Sequence, residues 1–385
     1  MSAARVYAGS VTVLRELCGL FLRLGLTAFG GPAAHIAMME DEVVRRRRWL
    51  TQAEFLDLLG ITNLIPGPNS TEMAIHIGQR RAGVRGLLVA GGAFILPAAA
   101  IAGALGWAYV RFGTRPQAAS LSYGIKPTMI AIVVQALVGL APKALKSRSL
   151  WAIGLLSLVA AALGVDELLC LAAAGLVEVL IRTRIAPPSA SLGVAIPAPF
   201  AAAAIVKVAG APFSLTGLFL VFAKIGSVLF GSGYVLLAFL RTDFVEHRHW
   251  LTEAQLLDAI AVGQVTPGPV FTTATFIGYV LGGAPGAVLA TLGIFMPAFF
   301  FVAISSALLP RIRRSPVLSA LLDGVNVASL ALMAAVTAQL CKSALVDWPT
   351  LVLAVVSAVL LLRYKLNSTW LIAAGALVGL VSQRA

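Results

Sequence analysis

Residues 86–110 and 286–309 carry no charged side chain, and as helices rising 1.5 Å per residue both runs are long enough to cross a hydrocarbon core roughly 30 Å thick. Composition agrees: 59% of the 385 residues are hydrophobic and 12% charged, with a mean hydropathy of +0.93, where a soluble domain has about a quarter charged residues. The sequence therefore predicts an all-α polytopic membrane protein, multi-pass, with the lipid bilayer as its solvent. Further spans are expected at 11–32, 120–140, 150–164, 168–181, 215–237, 317–340, 350–362 and 368–381.

The formal net charge of +13 sits in short clusters between apolar runs, such as Arg45–Arg48. Clusters of that kind set membrane topology, whereas nucleic acid would require a continuous basic stripe. With the N-terminus outside, seventeen basic residues fall in inner loops and seven in outer loops and termini, the bias expected of a membrane protein. Asp243 and Glu246 offset Arg241 and Arg248 in the second half, where the first half has "RRRRW".

The two uncharged runs belong to an internal repeat, since residues 21–98 align with 222–298 at an offset of about 200. Phe21, Gly25, Phe29 and Gly30 return as Phe222, Gly226, Phe230 and Gly231, and Trp49 and Asp57 return as Trp250 and Asp258. Pro66-Gly67-Pro68 returns as Pro267-Gly268-Pro269. Ahead of each Pro-Gly-Pro lies a capping box, Thr51 with Glu54 and Thr252 with Gln255. A helix over 52–65, too short to span, followed by a second one after Pro68, reads as a re-entrant hairpin. Five spans per half, an odd number, make the halves inverted repeats. The expected domains are an N-terminal repeat at 11–182, a linker at 183–213 rich in proline (Pro187-Pro188 among them), and a C-terminal repeat at 214–382.

Broken helices in inverted repeats are where transporters place their sites. A helix starting at Pro68 aims its amides and positive dipole end at the break, with Asn69, Ser70 and Thr71 as added donors, an anion-binding arrangement. The equivalent start at Pro269 offers Thr272 and Thr273 beside apolar Val270 and Phe271. A single Pro-Gly-Pro can merely turn two helices; its duplication favours a site that includes Gly67 and Gly268. Arg23 and Lys224 stand at equivalent intramembrane positions and either attract a dianion or pair with a carboxylate such as Glu72, Asp57 or Asp258. Lys126 either snorkels to the interface or reaches the anion from the far side. Glu72 and His76 lie one turn apart and either relay a proton or pin helices together. His247 and His249 make no metal site, no cofactor motif or phosphate-binding loop occurs, and no nucleophile stands beside a base. The chain reads as no enzyme and no nucleic-acid binder; the small anion is its partner, and a homodimer is compatible with this reading.

The strings "FLRLGLTAFGGPAAHIAMMEDEVV", "WLTQAEFLDLLGITNLIPGPNSTEMAIHIG", "FAKIGSVLFGSGYVLLAFL" and "GQVTPGPVFTTATFIGY" strongly resemble the chromate ion transporter (CHR) family in its two-repeat form. The resemblance covers about 21–140 and 215–340. It implies functional weight for Gly30, Gly31, Pro66, Gly67, Pro68, Asn69, Ser70, Thr71 and Glu72, and for Pro267, Gly268 and Pro269. It further implies export of chromate driven by the proton motive force, conferring chromate resistance, with sulfate as a competing dianion; a passive oxyanion channel of the same fold is the alternative. Gln79 departs from the aromatic residue of many relatives, which the second repeat keeps as Tyr279.

Overall fold

The computed structural model describes residues 3–29, 31–62, 64–113, 116–185, 212–230, 235–312, 316–364, 366 and 368–382. Gly30, Gly231 and most of the expected 183–213 linker lie outside them. Among the described residues every regular element is helical. The first repeat holds α1 (Ala3–Thr27), α2 (Gly31–Glu40), α3 (Gln52–Thr62), α4 (Asn69–Phe112), α5 (Pro116–Ala144), α6 (Arg148–Ala162) and α7 (Glu167–Ile185). The second holds α8 (Leu215–Val228), α9 (Leu236–Leu240), α10 (Glu253–Val265), α11 (Thr273–Ile312), α12 (Pro316–Ala344), α13 (Trp348–Tyr364) and α14 (Ser368–Ser382). Among the described residues four helices are long and apolar enough to cross a membrane, and shorter apolar helices accompany them.

Two expected spans are shorter than anticipated. Helix α1 stops at Thr27 rather than running to residue 32, and α8 stops at Val228 rather than 237. The reason is the same in both: the chain leaves the helix ahead of a glycine pair or glycine-rich segment, and α2 restarts at Gly31 with a positive φ of 77°.

Helices α4 and α11 each fold back on themselves. At Gly83 (φ 59°, ψ −146°) and Gly283 (φ 61°, ψ −154°) the backbone enters a region that side chains avoid, and the limbs beyond meet. A Cβ added at Gly78 would lie 2.6 Å from the Ala90 Cβ, and Thr275 bonds Thr291 at 2.7 Å. Residues that far apart touch only across a hairpin. The limb between Asn69 and the Gly83 turn is therefore only roughly 20 Å long, short of a bilayer's width.

Both capping boxes form. The Glu54 and Thr51 amides donate to Thr51 Oγ1 and Glu54 Oε2 at 3.2 and 2.9 Å, and the Gln255 and Thr252 amides do the same at 3.2 and 2.9 Å. Hydrogen bonds from the Thr51 amide and hydroxyl, then from Arg80, hold the Glu54 carboxyl below its ordinary range, so this cap is weakened as pH falls through that lowered value.

The chain divides into two compact units, and each draws on both repeats. Unit 1 comprises Met1–Arg111, Ser214–Gly233 and Val262–Leu309; unit 2 comprises Phe112–Phe213, Tyr234–Ala261 and Pro310–Ala385. In unit 1, α1 buries Leu17, Leu20, Phe21 and Leu24 against Phe55, Met73, Ile77 and Phe94, the i, i+3, i+4, i+7 stripe of a one-sided helix. Its other face exposes Leu22 and Leu26, as a lipid-bathed helix must. Glu42, buried just after α2, receives Arg23 at 2.6 Å, and Arg46 and Arg47 at 3.2 Å each. Glu42→Ala is expected to destabilise the protein by about 1–2 kcal/mol, discounted because the arginines are half exposed; thermal unfolding of the purified variant checks this.

In unit 2 the helices cross at glycines in a reciprocal pattern. Gly124 of α5 meets Gly375 of α14, while Gly324 of α12 meets Gly175 and Ala174 of α7. Helix α5 of the first repeat thus packs on the counterpart of α7, and α7 on the counterpart of α5, backbone against backbone. Polar pins add to the apolar contacts: Asp323 bonds Lys146 at 3.0 Å and Arg182 at 2.6 Å, Ser122 donates to Asp258 at 2.9 Å, and Arg248 lies 3.7 Å from Asp243. The acid residues of the second-repeat loop do offset its arginines, Arg241 pairing with both Glu246 and Glu253.

Candidate functional site: two crossed helix breaks

The C-terminal carbonyls of a helix have no partner inside it and must find one elsewhere. At the end of α1 the Ala28 carbonyl accepts the Gly268 amide at 2.9 Å; at the end of α8 the Leu229 carbonyl accepts the Gly67 amide at 2.8 Å. Because proline has no N–H, that glycine amide is the sole backbone donor of each Pro-Gly-Pro. Positive φ values of 140° at Gly67 and 86° at Gly268 aim it. Equivalent groups exchange partners between repeats, so within unit 1 each break is completed by the other half of the sequence. Close packing holds the arrangement: a Cβ on Gly25 would come within 2.7 Å of the Phe94 carbonyl oxygen, and one on Gly226 within 3.1 Å of the Ile294 carbonyl carbon.

With the glycine amides spent on carbonyls, only the following turn retains donors for an anion, and the two turns differ. In the second break Val270–Thr272 is a 3₁₀ turn, the Thr272 hydroxyl donates to the Pro269 carbonyl at 2.8 Å, and the Thr273 hydroxyl to Val270 at 2.8 Å. These donors are already used. In the first break the Thr71 and Glu72 amides bond the Pro68 carbonyl at 2.8 and 3.0 Å, but the Thr71 hydroxyl, both Glu72 carboxyl oxygens and His76 Nε2 are buried with no hydrogen-bond partner among the described residues. Such a group costs about 1–3 kcal/mol when neutral and more when charged, which makes an arriving ligand or proton the natural partner. Glu72 Oε1 lies hard against Gly67, where a Cβ would collide with it.

The remaining sequence candidates are dispersed. Arg23 pairs with Glu42, a carboxylate the sequence reading did not name, and its side chain is 50% exposed. Lys224 is half-buried on α8 within unit 1, and Lys126 is half-buried on α5 in unit 2. Asn69 is half-buried and Pro66, Pro68, Ser70, Pro267 and Pro269 are buried in unit 1. Sequence reasoning passed over His35. It is 1% exposed, its Nε2 lies 3.0 Å from the Ala28 carbonyl oxygen, its Nδ1 lies 3.3 Å from Ser70 Oγ, and its ring stacks edge-on against Phe94. The only available signal was a polar residue in an apolar string whose repeat counterpart is Leu236.

Comparison with known families gives the same two repeats. The family model described as chromate transporter matches twice, over residues 15–179 and 216–380. The chain belongs to the chromate transporter family. Among similar proteins of this family, the chromate transport protein of Cupriavidus metallidurans is 35% identical over 99% of this chain and 96% of its own length. That of Pseudomonas aeruginosa is 35% identical over 94% and 91%, and the probable chromate transport protein of Synechococcus elongatus is 30% identical over 90% and 89%. No solved structure matches. Membership places the chain among multi-pass membrane transporters and outside the enzyme families, with an oxyanion as the implied substrate class.

Proposed function

We propose that this chromate transporter family member exports chromate from the cell across the inner membrane, conferring resistance, with sulfate as a competing dianion. The supporting observation is the first helix break, where Asn69, Ser70 and Thr71 open a helix beside the buried Glu72. The short limbs of the two hairpins and the charge bias of the loops support a re-entrant, inverted arrangement. An axis in the membrane plane relates the two breaks in this reading.

Coulomb's law sets the sign of the coupling. An ionised Glu72 repels a dianion from the break, so anion occupancy favours the protonated carboxyl, and the proton travels with the anion. His76, one turn on, passes that proton along the same helix face. The complex of a dianion with one proton carries a single negative charge, and leaving a cell with its interior at −100 mV releases about 2.3 kcal/mol per charge. Export is thus driven by the electrical component of the proton motive force.

The test uses everted vesicles at alkaline pH. Chromate uptake is expected to collapse when potassium and valinomycin abolish the potential and to survive when nigericin abolishes only the pH difference. A chromate pulse into de-energised vesicles should draw protons in with it, and Glu72→Gln should remove that proton movement. Chromate flux with no proton movement and no trans-stimulation would indicate a passive channel and overturn the coupled reading.

A further inference from the structure

The two breaks touch through one side chain that only the first repeat possesses. The Ala28 carbonyl can only accept, so His35 Nε2 carries a hydrogen and donates to it at 3.0 Å; in the neutral ring Nδ1 is then the acceptor, and the Ser70 hydroxyl donates to it at 3.3 Å. The same carbonyl receives the Gly268 amide at 2.9 Å. Three hydrogen bonds therefore run from Ser70, in the first turn after Pro68, through His35 and Ala28 to Gly268 in the second Pro-Gly-Pro. Phe94, edge-on to the imidazole at 5.7 Å between centroids, fixes the plane of the ring.

We propose that His35 is the positioning residue that ties the two helix breaks together, so that movement of Ser70 when the first break is occupied displaces the carbonyl holding Gly268 at the second. The inference rests on the transport reading for its effect on flux, but not for the link itself. A symmetric pair of repeats has no need of such a tie at both ends; Leu236 at the counterpart position leaves it one-sided, matching the unequal donors of the two breaks. A ring that merely fills space would be replaceable by leucine, whereas a hydrogen-bonded tie needs a donor and an acceptor on one side chain.

The link is tested on the full-length protein in nanodiscs by hydrogen exchange, read on peptides containing Gly268. Ser70→Ala, made at the first break, is expected to speed exchange around Gly268 by about three- to tenfold, the size of a coupling of about 1 kcal/mol. His35→Leu should do the same, the double variant should add nothing, and His35→Gln, which keeps both a donor and an acceptor, should restore the slow rate. Exchange at Gly268 unmoved by Ser70→Ala, or His35→Gln behaving as His35→Leu, would overturn the proposal; Ser70→Ala and His35→Gln decide it even if the leucine variant does not fold. In vesicles the maximal chromate uptake rate of His35→Leu should fall by about tenfold with KM little changed. Absence of chromate uptake by the unaltered chain would sink the transport reading and leave the exchange result to judge His35.

Discussion

Gly268→Ala should lower the initial rate of chromate uptake into everted vesicles by at least about 100-fold at matched abundance. Two costs combine. The residue sits at φ 86°, where a side chain costs about 1–3 kcal/mol. Its Cβ would stand 2.9 Å from the Ala98 Cβ and 3.0 Å from the Gly25 carbonyl oxygen, neither of which is the free end of a flexible chain, and overpacking adds about 1–3 kcal/mol. Taken at the middle of their ranges the two costs sum to about 4 kcal/mol, above the roughly 2.8 kcal/mol of two factors of ten. Gly92→Ala is the control, since nothing lies within 4 Å of a Cβ there; it should transport as well as the unaltered protein. Equal activity of the two variants would mean that the second break does not work in this geometry.

Gly375→Leu should have the largest effect on stability. Ser120 and Gly124 on α5 face Gly375 and Gly379 on α14, two small residues four apart on each helix, the pattern that lets membrane helices approach closely. A Cβ at Gly375 would lie 2.6 Å from both the Gly124 carbonyl oxygen and Thr128 Oγ1, so a leucine must force the helices apart. The expected cost is about 3 kcal/mol or more, seen as a fall in the thermal midpoint of the purified protein and in its yield. Gly139→Leu, on the same α5 with nothing within 4 Å of its Cβ, should leave both unchanged. If the two leucines behave alike, contact at this crossing contributes little.

Local features were legible in the sequence and long-range pairings were not. The capping boxes at Thr51 and Thr252, the breaks after Pro68 and Pro269, and the uncharged helical limbs depend on residues within a turn or two of each other. The family and the two-fold repetition followed from strings that recur at a fixed offset. What could not be read was which repeat completes which break, because Ala28 and Gly268 meet only through tertiary packing. Arg23 found Glu42 rather than Glu72, Asp57 or Asp258, for the same reason: an intramembrane cation announces that it needs a carboxylate without saying which. The ends of α1 and α8 were extended too far since hydropathy continues across Phe29 and Leu229 while the hydrogen-bond ladder does not. Nothing in the sequence reading singled out Gly83 or Gly283, and their role in folding α4 and α11 into hairpins shows only in their dihedral angles.

The exchange of partners at the breaks also dictates how the protein is made. Gly268 is synthesised 240 residues (268 − 28) after Ala28, which at typical translation rates is a delay on the order of 10–50 s. For that time the end of the first helix rests in the bilayer without the amide it will finally hold, and lipid supplies no substitute. His35, only seven residues downstream, can occupy the Ala28 carbonyl almost as soon as it leaves the ribosome. The Ala28 carbonyl thus has a donor within the first half until the second half arrives, whereas the Gly67 amide waits 162 residues (229 − 67) for the Leu229 carbonyl.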